Sequence, residues 1–290
     1  MRNCPGCGGE GKVKFPEKID GNKLTVDSYS SRKRPELLHH EYLECRRCRS
    51  LFTRLIQRSL DLEVKYEEAT FISKVESMYA ARTYRRLLEK SRVLPDEGVL
   101  DVGCADGAFL LELHRRGIRN LAGVELSRES IQVADPTIRP AIVQGTVKSL
   151  PSGLKFNLIS CFQTIEHVAD PEEFVTEIAD RLAHNGTFAI ACHNRSSLVN
   201  RGLGERSPIF DIEHMQLFTP VGVKSLLERA GFSDVRVSPY ANTYPLHYWL
   251  NLSPIPMSFK DFVTAHREST IFRFPVKLPV GNLLVSGVRK

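Results

Sequence analysis

Apolar and polar positions follow two alternating patterns over residues 97–193. Short apolar runs bounded by turn residues predict strands, which begin at Val99, Leu121, Ala141, Phe156 and Thr187. Between these runs the apolar residues recur at helical spacing, as in residues 171–182. Because strands that alternate with helices pair in parallel, the pattern predicts an α/β fold with a doubly wound, mostly parallel sheet.

The segments that flank this region have other patterns. The stretches K-L-T-V-D-S-Y-S, H-H-E-Y-L-E-C and R-S-L-F-T-R-L-I, all within the first 60 residues, alternate like strands. From Asp61 to Leu94 the spacing is helical, and Pro95 follows. The predicted apolar stripe of this helix consists of Phe71, Val75, Met78, Tyr79, Arg82, Tyr84, Leu87 and Leu88. We therefore predict a small β module over 1–60, a helical cap or linker over 61–96 and an α/β domain over 97–290.

A glycine-rich turn joins the first predicted strand of the α/β domain to a helix. Residues 99–110 read V-L-D-V-G-C-A-D-G-A-F-L. Gly103 and Gly107 permit positive φ and a close approach of backbone to a ligand. Glu125 ends the next strand, 24 positions after Asp101, and an acid at about that distance commonly accepts hydrogen bonds from ribose hydroxyls in doubly wound folds. The turn therefore predicts a nucleotide-type cofactor.

On these residues the chain resembles the class I S-adenosylmethionine-dependent methyltransferases, whose first motif is an acid followed by three glycines at alternate positions. Asp101, Gly103 and Gly107 match, while Ala105 replaces the middle glycine, which is accommodated if its φ is negative. The competing class, a dinucleotide oxidoreductase, requires the G-x-G-x-x-G spacing, which is absent here. The resemblance implies S-adenosylmethionine as cofactor and a seven-stranded sheet closed by an antiparallel pair, with an insertion at about 241–280.

Further cofactor and catalytic candidates follow the later strands, because ligands of such sheets bind beyond the carboxyl ends of the strands. This rule adds Thr146 and Val147 to the cofactor site. The segment F-Q-T-I-E-H-V-A-D-P resembles a motif of small-molecule methyltransferases, including ubiquinone-pathway O-methyltransferases. That resemblance places Gln163 near the methionine end of the cofactor and makes His167 either a catalytic or a structural histidine. In similar enzymes a helix before the first strand caps the cleft, so Tyr79 and Arg82 are candidates to line it.

The polar stretch after the strand that begins at Thr187 is predicted to cover the acceptor. Methyl transfer from a sulfonium to a hydroxyl needs an aligned acceptor and a base. His214, which follows Asp211 and Glu213, is the candidate base, since a carboxylate neighbour orients an imidazole. The alternative is that this segment only docks the loop onto the core. Three arginines could meet an anionic substrate, namely Arg195, Arg201 and Arg206.

Two C-x-x-C pairs, Cys4 with Cys7 and Cys45 with Cys48, are separated by 37 residues. Zn²⁺ prefers a closed tetrahedron of thiolates in structural sites, and each pair supplies two ligands from one turn. Four cysteines leave no open position for catalysis, so we predict a structural zinc ion. His39 and His40 lie nearby and are predicted to be solvated polar residues.

The bulk composition limits location and partners. The N-terminus lacks the apolar core of a signal peptide, and no run of about 18 apolar residues occurs, so we expect a cytoplasmic protein. The net charge of +6 is concentrated at both ends, with 13 Lys and Arg against 7 Asp and Glu in residues 1–60. Four zinc-bound thiolates would offset part of that charge, so nucleic acid is not the expected partner.

The whole chain resembles bacterial zinc-ribbon methyltransferases of the Methyltransferase-23 type. The resemblance implies O-methylation of a small or lipid-linked metabolite in a glycan, isoprenoid or natural-product pathway. Two alternatives remain open: an RNA-modifying enzyme whose ribbon binds RNA, and a catalytically idle cofactor-binding protein. The insertion at 241–280 is interpreted as a substrate lid, as a peripheral contact with a membrane surface, or as a packed excursion. The acceptor and the oligomeric state are not determined by the sequence.

Overall fold

A computed structural model describes residues 2–20, 26–30, 35–54, 64–68, 71 and 74–290 of the chain. In this part the strands are β1 Gly11–Phe15, β2 Tyr42–Cys45, β3 Leu51–Thr53, β4 Glu97–Val102, β5 Arg119–Glu125, β6 Ile142–Gln144, β7 Phe156–Phe162, β8 Leu182–His193, β9 Gln216–Leu217, β10 Phe232–Pro245 and β11 Pro275–Arg289. The α-helices are α1 Lys74–Ser91, α2 Ala108–Arg115, α3 Arg128–Gln132, α4 Pro171–Arg181, α5 Leu198–Leu203, α6 Pro220–Arg229, α7 Leu246–Leu252, α8 Met257–Ala265 and α9 Thr270–Arg273.

The larger sheet has seven strands in the order β10-β11-β8-β7-β4-β5-β6. Neighbours from β8 to β6 are parallel, while β11 runs antiparallel to both β8 and β10. The predicted doubly wound, mostly parallel sheet with a closing antiparallel pair is confirmed. Because the five parallel strands share one direction, their carboxyl ends meet at one edge, where a ligand of such a sheet binds.

The smaller sheet joins the N-terminal module to the α/β part of the chain. Its order is β1-β2-β3-β9, all antiparallel. The fourth strand, β9, comes from the α/β part, with Leu51 opposite Leu217 and Phe52 opposite Gln216. The hydroxyl of Thr219 donates to the carbonyl of Cys48 at 2.6 Å. The cysteine-bearing module predicted over residues 1–60 therefore completes its sheet with a strand more than 160 residues away.

Parts of the predicted cap and module differ from the structure. Some predicted strand and helix residues lie outside the described part of the chain, namely 21–25, 31–34, 55–63, 69–70 and 72–73. The structure tests the predicted strands and helix only at their remaining residues. Val26–Tyr29, predicted within a strand, is a 3₁₀ helix. Ser28 donates to Glu36 at 2.8 Å, and such short polar side chains favour turns because they compete for the backbone.

The apolar stripe of α1 was predicted correctly only in part. Tyr84 and Leu88 are buried as predicted, together with Ala80 and Ala81, whereas Val75 and Met78 are exposed. These four buried side chains pack with Val99, Phe109 and Leu158 in one cluster. The small alanines let the helix approach the sheet closely. A pattern of large apolar residues does not indicate such a close contact.

The insertion is shorter than predicted because the closing strands are longer. β10 continues to Pro245 and β11 begins at Pro275, so 241–245 and 275–280 pair in the sheet. These residues were assigned to the insertion because they are rich in proline and aromatic residues. Proline is tolerated in strands only at certain positions, so it argued against a strand here. The helical insertion is therefore 246–274. Within the described residues, no helix has the length and apolar content that a membrane span requires.

Candidate functional site

A cavity of about 630 Å³ opens at the carboxyl ends of the parallel strands. Its walls come from the ends of β4, β5, β7 and β8, from residues 199–214, and from the insertion 246–274 with β11. A smaller cavity of about 40 Å³ shares Gly103, Ala105, Tyr84 and Phe162 with it. The edge that topology assigns to a ligand is therefore the edge with space for one.

The turn after β4 brings backbone to the cavity floor. Gly103 has φ +70, and a Cβ there would meet the Thr164 hydroxyl at 2.5 Å. Gly107 also has positive φ, but its missing Cβ makes room for Ile138 and Ile142 and it does not line the large cavity. Asp101 is buried beneath the turn and accepts a hydrogen bond from Ser160 at 2.7 Å, and burial raises its pKa to about 7. Gly107 and Asp101 thus support the conformation of the turn through contacts away from the large cavity.

Ala105 does not have the negative φ that was expected of it. Its φ is +48, in the left-handed region where an L-residue is strained. This geometry directs its N–H at Glu125 Oε2 at 2.8 Å, while Ser127 N–H donates to Oε1 at 2.8 Å. The turn therefore needs the left-handed conformation to hold the carboxylate at the end of β5.

The remaining cofactor candidates lie on the same wall. Glu125, Thr146, Val147 and Gln163 all line the cavity. Burial raises the pKa of Glu125, against the opposing effect of its backbone N–H bonds. The backbone N–H of Gln163 donates to the Ala191 carbonyl at 2.7 Å, and its buried Nε2, which has the Tyr240 hydroxyl as a polar neighbour, has no described partner with hydrogen-bond geometry. A buried donor without a partner is costly, so this amide is a candidate donor to a ligand.

Sequence analysis missed two aromatic side chains of this wall. Tyr84 on α1 and Phe162 at the end of β7 stack with ring centroids 4.2 Å apart, and both line the cavity. Tyr79 and Arg82, the candidates on the same helix, are not among the lining residues. Tyr84 belonged to the predicted apolar stripe of this helix, but that pattern does not distinguish a side chain that lines a cavity from one in the core.

Three histidines meet on the acceptor side of the cavity. The ring centroid of His214 lies 4.8 Å from that of His167 and 5.3 Å from that of His193. All three line the cavity. His167 follows β7, His193 ends β8 and His214 precedes β9, so the cluster forms only in the folded chain.

His214 is held by its ring and by its backbone. Its Nδ1 lies 2.8 Å from the Ile209 carbonyl, which can only accept, so Nδ1 carries the proton and the lone pair is on Nε2. The buried hydroxyl of Tyr42, from β2, donates to the His214 carbonyl at 2.6 Å. The cysteine-bearing module therefore contacts the candidate base directly.

The other two histidines have opposite electrostatic surroundings. His167 Nδ1 lies 2.8 Å from the Tyr66 hydroxyl and 3.4 Å from Glu213 Oε2. Burial lowers the pKa of His167, but the charge and hydrogen bond of Glu213, together with the charges of Glu166 and Asp211, outweigh burial and the net shift is upward. Burial lowers the pKa of His193, whose Nδ1 lies 3.0 Å from Asn282 Oδ1. The cluster thus favours a cation at His167 beside a neutral ring at His193.

The raised pKa of His167 predicts a specific pH dependence of stability. A raised folded-state pKa contributes stability that is fully present below the unfolded value of about 6.5 and is lost as pH rises through the folded value. The wild type should therefore lose unfolding free energy on the alkaline side of about pH 6.5. Denaturant titrations at several pH values should show that slope in the wild type and in His184→Gln, an exposed histidine. An equally steep slope in His167→Gln would assign it to another group.

The outer wall of the cavity is aromatic and apolar. It contains Tyr244, Tyr248, Trp249, Leu252, Leu278 and Val280. The indole of Trp249 donates to the Val276 carbonyl at 2.9 Å, which fixes α7 to β11. None of the three candidate arginines lines the cavity, and Arg195 lies over the ring of Phe15 at 5.7 Å. The wall therefore suits an apolar ligand.

The four cysteines of the N-terminal module form one cluster. Their sulfur atoms all lie within 4.8 Å of one another, with Cys4–Cys48 at 3.5 Å and Cys7–Cys45 at 3.4 Å. Four sulfurs about 2.3 Å from a zinc ion stand about 3.8 Å apart, so the donor set fits tetrahedral Zn²⁺. Among the described residues, this is the one group of three or more His, Cys, Asp or Glu side chains whose ligand atoms lie close enough together to hold one metal ion.

His39 is not the solvated residue that was predicted. It is fully buried, with Nδ1 2.8 Å from the His40 carbonyl and Nε2 3.1 Å from Glu205 Oε1. Its ring packs on Tyr42 and Phe210. Glu205 and Phe210 belong to the α/β part, so the first 60 residues alone do not have this interior.

The profile of a family described as "Methyltransferase domain", Methyltransf_23, matches residues 71–237. Two similar relatives are named ubiquinone biosynthesis O-methyltransferase. The protein from Serratia proteamaculans is 25% identical over 59% of this chain and 68% of its own length. The protein from Rickettsia akari is 25% identical over 34% of this chain, which spans only 41% of that relative. The YcgJ protein of Bacillus subtilis has a similar fold, with a TM-score of 0.52, 18% identity, and coverage of 71% of this chain and 97% of that one.

Proposed function

Because the chain belongs to the Methyltransf_23 family of class I S-adenosylmethionine-dependent methyltransferases, we propose that it methylates a hydroxyl group of an apolar, lipid-like metabolite. The observation that carries this proposal is the shared cavity. The cofactor turn, the histidine cluster and the aromatic wall all border one space of about 630 Å³. The names of the two relatives support the O-directed reaction and the apolar acceptor.

Residues at the turn and at the ends of β5 to β7 would hold S-adenosylmethionine, which supplies the methyl group as a sulfonium. Glu125 would accept hydrogen bonds from two ribose hydroxyls. Thr146 and Val147 would border the adenine, and the buried amide of Gln163 would donate to the methionine end. Gly103 leaves the space that a side chain would fill.

His214 would take the proton of the acceptor hydroxyl. Its Nδ1 proton is held by the Ile209 carbonyl, which directs basicity to Nε2. The raised pKa of His167 would favour its charged form beside Glu213. In an in-line displacement the attacking oxygen must lie opposite the departing sulfur, so the aromatic wall would hold the acceptor against the methyl group.

The four cysteines would hold Zn²⁺ as a structural ion. Their distances suit a closed tetrahedron, which leaves no open position for a substrate. In this proposal the ion stabilises the sheet that supplies Tyr42 and pairs with β9, and so positions His214. The zinc ion would act on catalysis only through that positioning.

Methyl transfer is tested with S-adenosylmethionine labelled in its methyl group and a total cell extract from a strain that lacks the gene. The label should enter the organic phase and resist alkali, because a methyl ether survives conditions that hydrolyse a methyl ester. Label confined to the aqueous phase would contradict an apolar acceptor. Alkali-labile label would contradict a hydroxyl acceptor.

The cofactor half of the proposal predicts weaker binding by Glu125→Ala. Loss of a charged acceptor for two hydroxyls costs about 1.5–3 kcal/mol, so the Kd for S-adenosylhomocysteine should rise about 10- to 150-fold. Calorimetry measures this change, with Glu129→Ala as the control because that glutamate is exposed on α3. Unchanged affinity in Glu125→Ala, or tighter binding of NAD by the wild type, would contradict the assignment.

A further inference from the structure

Helices α8 and α9 carry a cluster of exposed apolar side chains on the outer surface of the insertion. Met257, Phe259, Phe262, Ile271 and Phe274, here called the insertion patch, are 59, 45, 50, 72 and 64% exposed. Phe262 is in ring contact with Phe259 and with Phe272, each at 6.1 Å between centroids. Five large apolar groups within 18 residues are more than the scattered exposure that soluble surfaces tolerate.

The insertion patch is joined to the wall of the cavity. The backbone N–H of Leu246, at the start of α7, donates to the Phe274 carbonyl at 2.9 Å. The same α7 supplies Tyr248, Trp249 and Leu252 to the cavity. One short insertion therefore has an inner side that lines the acceptor space and an outer side that is apolar and exposed.

Exposed basic residues lie beside the insertion patch. Residues 257–277 contain three exposed cations, Arg267, Arg273 and Lys277, against two exposed acids, Asp261 and Glu268, while Lys260 is buried. Glu268 lies 3.6 Å from each arginine, so the exposed segment has an excess of one positive charge. An apolar face with an excess of basic groups matches the interfacial region of an anionic bilayer, where each basic group near the surface adds attraction. In a two-fold dimer the same patch would meet itself, which would bring two surfaces of like charge together. The charge therefore favours lipid over a second copy of the chain.

We propose that the insertion patch docks this enzyme on the surface of an anionic lipid bilayer, so that a lipid-borne acceptor enters the cavity along the insertion. The patch is the docking surface, and α7 separates it from the acceptor space. This inference rests on the proposed function for the nature of the acceptor, but the docking itself does not depend on methyl transfer.

The test is co-sedimentation with vesicles of phosphatidylcholine alone and of phosphatidylcholine with phosphatidylglycerol. The wild type should bind the mixed vesicles more strongly, and less as salt rises. Ile271→Asp/Phe274→Asp should lower the bound fraction about tenfold or more. Val221→Asp is the matched control, because Val221 is 63% exposed on α6, outside the insertion. It should bind like the wild type.

Two results would overturn the proposal. One is equal vesicle binding by the wild type and the double variant, or none by either. The other is a wild-type dimer in sedimentation velocity that the double variant converts to monomers, which would assign the patch to a second copy. Ile271→Ser/Phe274→Ser repeats the test without added charge, and thermal unfolding checks that the variants fold. Calorimetry with S-adenosylhomocysteine, run on the same samples, reports a failure of the proposed function separately from a failure of docking.

Discussion

Replacing His214 with alanine should lower kcat by about 10² to 10⁴, because a positioned general base contributes a factor of that size. Affinity for S-adenosylhomocysteine should change little, since the residues proposed to hold the cofactor lie at the other wall of the cavity. Labelled methyl transfer and calorimetry measure the two quantities separately. The loss should appear in kcat and kcat/KM together, as expected for an interaction made in the transition state.

His214→Gln separates proton acceptance from docking of the loop. The glutamine amide can still donate to the Ile209 carbonyl, 2.8 Å from Nδ1 in the wild type, but it cannot accept a proton at neutral pH. Activity as low as that of His214→Ala supports the base. Activity restored by glutamine, or an alanine variant that melts early and loses cofactor binding as well, would show that the side chain only docks the loop. His193 and His167 would then be the next bases to test.

Replacing Cys45 with serine should release the metal and lower activity at least about tenfold, because structural zinc sites contribute much of the folding free energy of small modules. Elemental analysis should give about one zinc ion per wild-type chain and much less in the variant. Hydrogen exchange should rise in β2, β3 and β9, and the Tyr42 contact with His214 should loosen. The cofactor turn lies in the other sheet, so S-adenosylhomocysteine affinity should stay within about twofold.

Cys192→Ala is the matched control for the loss of a buried thiol. Cys192 is fully buried in the core of the large sheet, away from the cysteine cluster. This variant should lose some stability through the cavity it leaves but keep its metal and the slow exchange of β9. Wild-type protein without metal would contradict the zinc site. Full activity in metal-free Cys45→Ser would contradict the coupling to His214.

Local patterns determined a large share of this protein. The run from Val99 to Leu110 predicted the strand, the turn and the helix that follow one another in β4 and α2. The spacing of Cys4, Cys7, Cys45 and Cys48 predicted a cluster that the fold does assemble. Such features are predictable because the interactions that define them lie within a few residues, or repeat the same short motif.

The tertiary structure alone decided the acceptor side. The pairing of β3 with β9 joins strands that differ by more than 160 positions. Contacts across the same boundary bury His39 against Phe210 and link Tyr42 of the cysteine module to His214. The cluster of His167, His193 and His214 arises from three separate segments of the chain, and the unequal surroundings of its rings depend on Glu213 and Asn282. The left-handed conformation of Ala105 likewise depends on a distant residue, because its N–H donates to the carboxylate of Glu125. These features depend on which distant groups are buried together in a low-dielectric interior. Tertiary packing determines those neighbours, and the periodicity of the sequence does not.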